Sequence, residues 1–156
     1  MFIRLASNSD TEQIIKLIET CYAVYDDKVN TMYYDKDLLD IEGKYLTNNG
    51  VFYVADKDFR ILGTIALKPV DEKEAEIKRF YVHPDFWGDG TADLLFSYVL
   101  NYAKNSNIKK ISLWTDERYE RAQAFYKKVG FVAGESKDME DADNPYTLVY
   151  YEFILK

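Results

Sequence analysis

The sequence is sparing with several residue types, and each scarcity excludes something. It has one cysteine, Cys21, so no internal disulfide can brace the fold. It has one histidine, His83, and no His/Cys/acid cluster at ligand spacing, so no metal is expected. Three prolines and seven glycines form no linker or low-complexity tract among the 156 residues, and no internal repeat is present. Residues 1–156 therefore read as a single domain. The longest aliphatic stretch, 61–67, is interrupted by Gly63 and Thr64 and falls far short of the ~20 residues of a membrane span. No basic cluster offsets the acidic excess: 20 basic against 27 acidic side chains leave a net charge of −7. That field repels phosphate backbones and anionic headgroups, so neither nucleic acid nor a membrane is an expected partner, and a cationic one is easier. The chain also lacks an opening series of basic, apolar and small residues, so a cytoplasmic location is expected.

What the chain has in abundance is apolar and aromatic surface. With 47% hydrophobic and 30% charged residues it fits a folded globular protein, and its 14 tyrosines and 9 phenylalanines fall at strand and helix periods. Residues 2–6 read as a short strand, and Ser9 or Asp10 can cap a helix in which Ile14, Leu17, Ile18, Cys21 and Tyr25 follow helical spacing. Asp35 can cap a second helix through Leu38, Leu39, Ile41 and Tyr45, ended by the breakers Asn48, Asn49 and Gly50. Residues 51–55, 60–70 and 75–82 are rich in β-branched and aromatic side chains, with turn residues between them, which predicts an antiparallel meander. Leu95, Tyr98, Val99 and Tyr102 then predict a helix starting near Gly90, and 109–115 reads as a buried strand. Ala122, Phe125, Tyr126 and Val129 predict a further helix ended by Gly130, with a strand beginning at 131–133 and another at 147–155. A helix joining neighbouring strands implies a right-handed crossover, so the predicted sheet is mixed and the fold class α/β (α+β mixed).

The segment richest in chemistry is 76–92, a strand followed by Pro84, a glycine loop and a helix start. Gly88 and Gly90 let the backbone approach a ligand closely, and the free N–H groups of the following helix suit an anion such as a pyrophosphate. The segment has no Gly-Lys-Ser/Thr of a P-loop, and Asp93 stands where a dinucleotide fingerprint has Gly or Ala.

Here the sequence resembles the GNAT family, the Gcn5-related N-acetyltransferases. Their acetyl-CoA motif, Arg/Gln-x-x-Gly-x-Gly/Ala after a strand, is matched at two of its three defining positions by Trp87-Gly88-Asp89-Gly90-Thr91-Ala92. Ala122-Gln123-Ala124-Phe125-Tyr126-Lys127-Lys128-Val129-Gly130-Phe131 resembles the second block of the family, Ala-x-x-Phe-Tyr-x-x-x-Gly-Phe. The element order agrees over nearly the whole chain. The resemblance implies a GNAT-like fold, a mixed central sheet of about seven strands with four helices. It also implies direct transfer of an acetyl group from acetyl-CoA, as co-substrate, to a primary amine of a small molecule or peptide.

The implied roles fall on particular residues. Phe80, Tyr81 and Val82 would pair with the pantetheine arm through a strand splayed from its neighbour, and the amides of Gly88, Asp89, Gly90, Thr91 and Ala92 would hold the pyrophosphate. Tyr126 matches the tyrosine that protonates the departing thiolate. The attacking amine must lose a proton, and Glu76, on the same strand and on one face with Lys78, is the candidate base. His83 reads as a turn residue and Cys21 as an apolar filler.

Three positions depart from the family pattern. Trp87 replaces the usual Arg or Gln, Asp89 puts a carboxylate into the anion loop, and Tyr119 stands where the family often carries an Asn that touches the cofactor. They motivate an alternative, a non-catalytic CoA-sensing or protein-interaction module of the same fold. Lys127, Lys128, Arg118 or Arg121 could meet the 3′-phosphate instead. The expected acceptor walls carry Asp26, Asp27, Asp35 and Asp37, then Asp138, Glu140, Asp141 and Asp143, which suggests an acceptor with a second positive charge, flanked by Tyr22, Tyr25, Tyr33, Tyr34 and Tyr146. By analogy with the family, a homodimer would use the strand at 147–155 as its edge.

Overall fold

In the computed structural model, which describes residues 1–140 and 145–156, alternating apolar residues build seven strands. They are β1 (Phe2–Leu5), β2 (Val51–Lys57), β3 (Arg60–Pro69), β4 (Glu74–Val82), β5 (Lys110–Asp116), β6 (Val132–Met139) and β7 (Tyr146–Ile154). The helices are α1 (Thr11–Ala23), α2 (Ile41–Lys44), α3 (Thr91–Asn105) and α4 (Glu120–Val129). The sheet runs β1-β2-β3-β4-β5-β7-β6, and every neighbouring pair is antiparallel except β4 with β5, the crossover made by α3. The mixed seven-stranded sheet with four helices is the predicted architecture.

Each face of the sheet carries its own core. Ile14, Leu17 and Ile18 of α1, with Leu38 and Ile41, pack on Phe52, Val54 and Ala66. On the other face Leu95, Phe96 and Val99 of α3 and Tyr126 of α4 pack on Ile65, Ile77, Ile111 and Leu113. A fully buried aliphatic side chain contributes about 1.5–3 kcal/mol, so both layers are needed for a stable sheet.

Three predicted features come out differently. The second helix is not continuous: a 3-10 turn over Lys36–Leu39 is followed by the single turn of α2. The break lies at Asp40, whose carboxylate accepts from the Gly43 amide and so starts the helix afresh. The strand expected to begin at 131–133 starts one residue later and runs from Val132 to Met139, and its side chains are almost all exposed, so no apolar pattern marked its length. The strand expected at the sheet edge, 147–155, is internal, because β7 pairs with β5 on one side and β6 on the other; β6 is the edge.

A β-bulge in β4 sets up the site. Thr64 pairs with Tyr81 but Ala66 with Lys78, so Arg79 and Phe80 together face one residue of β3. Arg79 takes φ 52°, a left-handed conformation that costs a residue with a Cβ on the order of 1 kcal/mol. The extra residue reverses the alternation. Ala75 and Ile77 lie on the α3 face, and after the bulge Phe80 and Val82 do so too, while Tyr81 packs toward α1.

Candidate active site

β4 and β5 are paired over only three rungs, Glu74 with Lys110, Ala75 with Ile111 and Glu76 with Ser112. Beyond Glu76, β4 continues along β3 and β5 continues along β7, so a wedge opens between two central strands. The His83 amide donates to Leu62 O of β3 at 2.8 Å. Alternation gives the Tyr81 amide the same direction and turns the amides of Phe80 and Val82 into the wedge.

The wedge ends at the glycine loop. Gly88 and Gly90 have φ of 79° and 95°, which require glycine, and a Cβ at Gly90 would meet nothing within 4 Å. Among the described residues the amides of Gly88, Gly90 and Ala92 donate to no protein acceptor. The Thr91 amide is taken: Asp89 Oδ1 accepts from it at 2.9 Å and from the Thr91 hydroxyl at 2.7 Å. These bonds hold the Asp89 carboxyl below its ordinary range, so the loop carries a carboxylate of its own at the start of α3. Trp87 turns its indole back along β4 and donates from Nε1 to Val82 O at 2.8 Å.

Tyr126 lies under the wedge with its ring 6.1 Å from Phe80, packed among Phe125, Phe131 and Tyr151. Burial first, then Tyr81 and Tyr151, pushes its pKa well up, so it holds its proton. Among the described residues its hydroxyl has no hydrogen-bond partner, whereas the Tyr151 hydroxyl is engaged by Gln123 and that of Tyr22 by Tyr81. Glu76 occupies the last rung before the wedge and is ion-paired with Lys78 at 3.2 Å on the α1 face. Glu76 and Tyr126 thus stand on opposite faces of the sheet, with no contact joining them among the described residues. Tyr119 precedes α4 and stacks on Tyr25 with centroids 4.5 Å apart. His83 is a turn residue, its Nδ1 accepting from the Asp85 amide at 3.1 Å. Burial pushes the Cys21 thiol up to about 12, which makes it a poor nucleophile.

The acceptor wall differs from its reading in sequence. Arg79 extends from the bulge and binds Asp35 through Nη1 at 2.7 Å and Asp37 through Nε at 3.0 Å and Nη2 at 2.5 Å. Asp37 also accepts from the Tyr45 hydroxyl, and Asp35 from the Asn30 amide at 2.7 Å. Two carboxylates counted as open acidic surface are therefore bound inside the protein by a single guanidinium, and Asp27 is bound by Arg118 at 2.9 Å. Asp138 accepts from Thr147, and Asp141 and Asp143 lie outside the described residues. Sequence reasoning missed Arg79; its one signal was a second consecutive charge, after Lys78, in an otherwise alternating strand. Among the described residues no group of His, Cys, Asp and Glu side chains could hold a metal, and no helix is long and apolar enough to cross a membrane.

Comparison with known proteins adds to this geometry. A probable N-acetyltransferase, camello, of Xenopus tropicalis is 27% identical over 127 residues, which cover 78% of this chain and 58% of that protein. The chain thus spans little more than half the length of such curated relatives. An acetyltransferase from Streptococcus agalactiae superposes with a TM-score of 0.85 at 26% identity over 99% of this chain and 98% of that one. A putative acetyltransferase from Salmonella typhimurium, solved with its cofactor acetyl-CoA, shares the fold with a TM-score of 0.77 at 16% identity, covering 99% and 94% of the two chains. The acetyltransferase (GNAT) family model matches residues 11–131, a span that takes in the bulged strand, the glycine loop and the Phe-Tyr block, and the chain belongs to that family.

Proposed function

We propose that this chain is an N-acetyltransferase that uses acetyl-CoA and transfers the acetyl group directly to a primary amine of a small molecule or peptide. The observation that carries the reading is the wedge between β4 and β5, which turns strand amides toward a ligand and ends at unengaged loop amides. Phe80 and Val82 suit the amide-bearing arm of the cofactor, and Gly88, Gly90 and Ala92 suit its diphosphate. When bound, acetyl-CoA supplies an activated acyl group and a thiolate leaving group. Glu76 takes a proton from the amine on the α1 face, and Tyr126 gives one to the departing sulfur from the other. The buried Cys21 fits direct transfer, since it is held as an unreactive thiol, and a cytoplasmic setting suits that unbridged thiol.

For the acceptor, the reading favours an amine with a second positive charge. A cleft of about 490 Å³ at the end of α1 is lined by Glu19, Asp26 and Asp27 together with Ala23, Lys28 and Val29. Calorimetry with acetyl-CoA, CoA, ATP and NAD, followed by thiol release over cationic and anionic amines, tests both statements. Selective binding of CoA species and turnover with cationic amines are expected; binding of ATP or NAD in their place overturns the function, and preference for anionic amines overturns the acceptor class.

One observation favours the alternative of a non-catalytic module: Asp89 and Trp87 fill a loop amide and a strand carbonyl with the protein's own groups. Removal of the carboxylate in Asp89→Ala is expected to tighten CoA several-fold while lowering stability by about 0.5–1.5 kcal/mol through the lost hydrogen bonds. Tight CoA binding by the wild type with no thiol release on any amine would favour the module.

A further inference from the structure

The arginine absent from the glycine loop has a counterpart on α4. Arg121 places its guanidinium carbon 4.8 Å from the centre of the Trp87 ring, and its Nη2 lies 4.0 Å from where a Cβ on Gly88 would stand. Arg4, Arg79 and Arg118 are each bound to carboxylates, and Arg60 lies against His83; Arg121 has no acidic partner among the described residues. Its platform is fixed, because the indole is anchored through Nε1 to Val82 O. Stacking uses the face of a guanidinium and leaves the N–H groups around its edge free, the geometry that receives phosphate oxygens in pairs.

We propose that Arg121, held on Trp87, is the positive charge that binds the diphosphate of CoA, replacing from α4 the side chain that position 87 no longer supplies. This rests on the acetyltransferase reading. The other charges around the loop leave the role open to Arg121. Asp89 sits in the loop, Asp85 is exposed beside it, and Lys57 is the nearby cation, resting on Phe86 with its Nζ 5.8 Å from the ring centre. Asp93 and Lys128 are paired at 3.2 Å and cancel one another. Without Arg121, Lys57 and Arg60 only offset Asp85 and Asp89, and no positive charge is left over for an anionic ligand. Trp87 thus acts as a positioning residue and Arg121 as a binding residue.

The test is titration calorimetry of CoA and dephospho-CoA with the wild type, Arg121→Gln and Arg121→Lys. Arg121→Gln is expected to weaken both ligands about 10- to 100-fold, the range for a hydrogen bond to a charged group, and to flatten the salt dependence of binding. Arg121→Lys is expected to recover only part of the affinity, because an ammonium lacks the planar fork. Unchanged CoA affinity in Arg121→Gln overturns the assignment. A loss seen with CoA but not with dephospho-CoA also overturns it, by placing the contact on the 3′-phosphate. A wild type that binds neither ligand overturns the acetyltransferase reading and this assignment with it, so the two failures are distinguishable. Arg121 is on the surface, and an unchanged melting temperature in the variants checks that the fold survives.

Discussion

Tyr126→Phe is expected to lower turnover about 10²- to 10³-fold, within the range of a lost general acid, while the dissociation constant of CoA changes by less than about twofold. The asymmetry follows from placement. The ring packs against Phe80, Phe125, Phe131 and Tyr151, and phenylalanine keeps those contacts. Only the hydroxyl is lost, and among the described residues it bonds to nothing in the protein. Because burial keeps the phenol protonated, the wild-type rate should show no alkaline decline from this group below about pH 10. Glu76→Gln is expected to cost turnover by about 10²-fold, through proton removal on the opposite face. Steady-state thiol release decides: if both variants keep wild-type turnover, the proton-transfer mechanism is overturned while the enzyme class survives.

Arg79→Met is expected to be strongly destabilising. It removes the cation from between Asp35, which is 2% exposed, and Asp37, and breaking a buried ion pair by deleting one partner costs about 3–5 kcal/mol. For a chain of this length that is a fall of about 10 °C in melting temperature. The pH dependence should also weaken. Burial alone would raise the Asp37 carboxyl, but the hydrogen bonds and charge of Arg79, with the Tyr45 hydroxyl, overcome it and hold the carboxyl below its ordinary range. In the wild type that contribution is present above the ordinary carboxylate range and is lost as pH falls through the lowered value. In Arg79→Met burial is opposed only by the Tyr45 hydroxyl and a backbone amide, so the loss of stability between about pH 5 and pH 2 should be shallower than in the wild type. Thermal melts across that range check it, and a fall of less than about 3 °C at pH 7 would show that the triad is not what holds these segments to β4.

The sequence reveals features that depend on neighbours along the chain and hides those that depend on distant ones. The meander, the crossover helix, the glycine loop and the Phe-Tyr block are local patterns, and each lies where it was expected. The second helix broke because Asp40 competes for the Gly43 amide, a contact that propensity does not register. The order of the last two strands was misjudged because β6 is exposed on nearly every residue and carries no periodic signal. Arg79 with Asp35 joins residues 44 apart, and no spacing rule links them. Asp35 and Asp37 therefore looked like free surface carboxylates. Trp87 appeared in sequence as the loss of a phosphate donor; stacked beneath Arg121, it becomes a support for one.

The three rungs between β4 and β5 make the sheet two panels on a narrow seam: β1 to β4 on one side, β5, β7 and β6 on the other. A molecule lying along the free amides of β4 would act as an eighth strand wedged into that seam. It would stiffen the joint between panels that the protein alone fastens at one end, and the panels would then twist and melt as one plate.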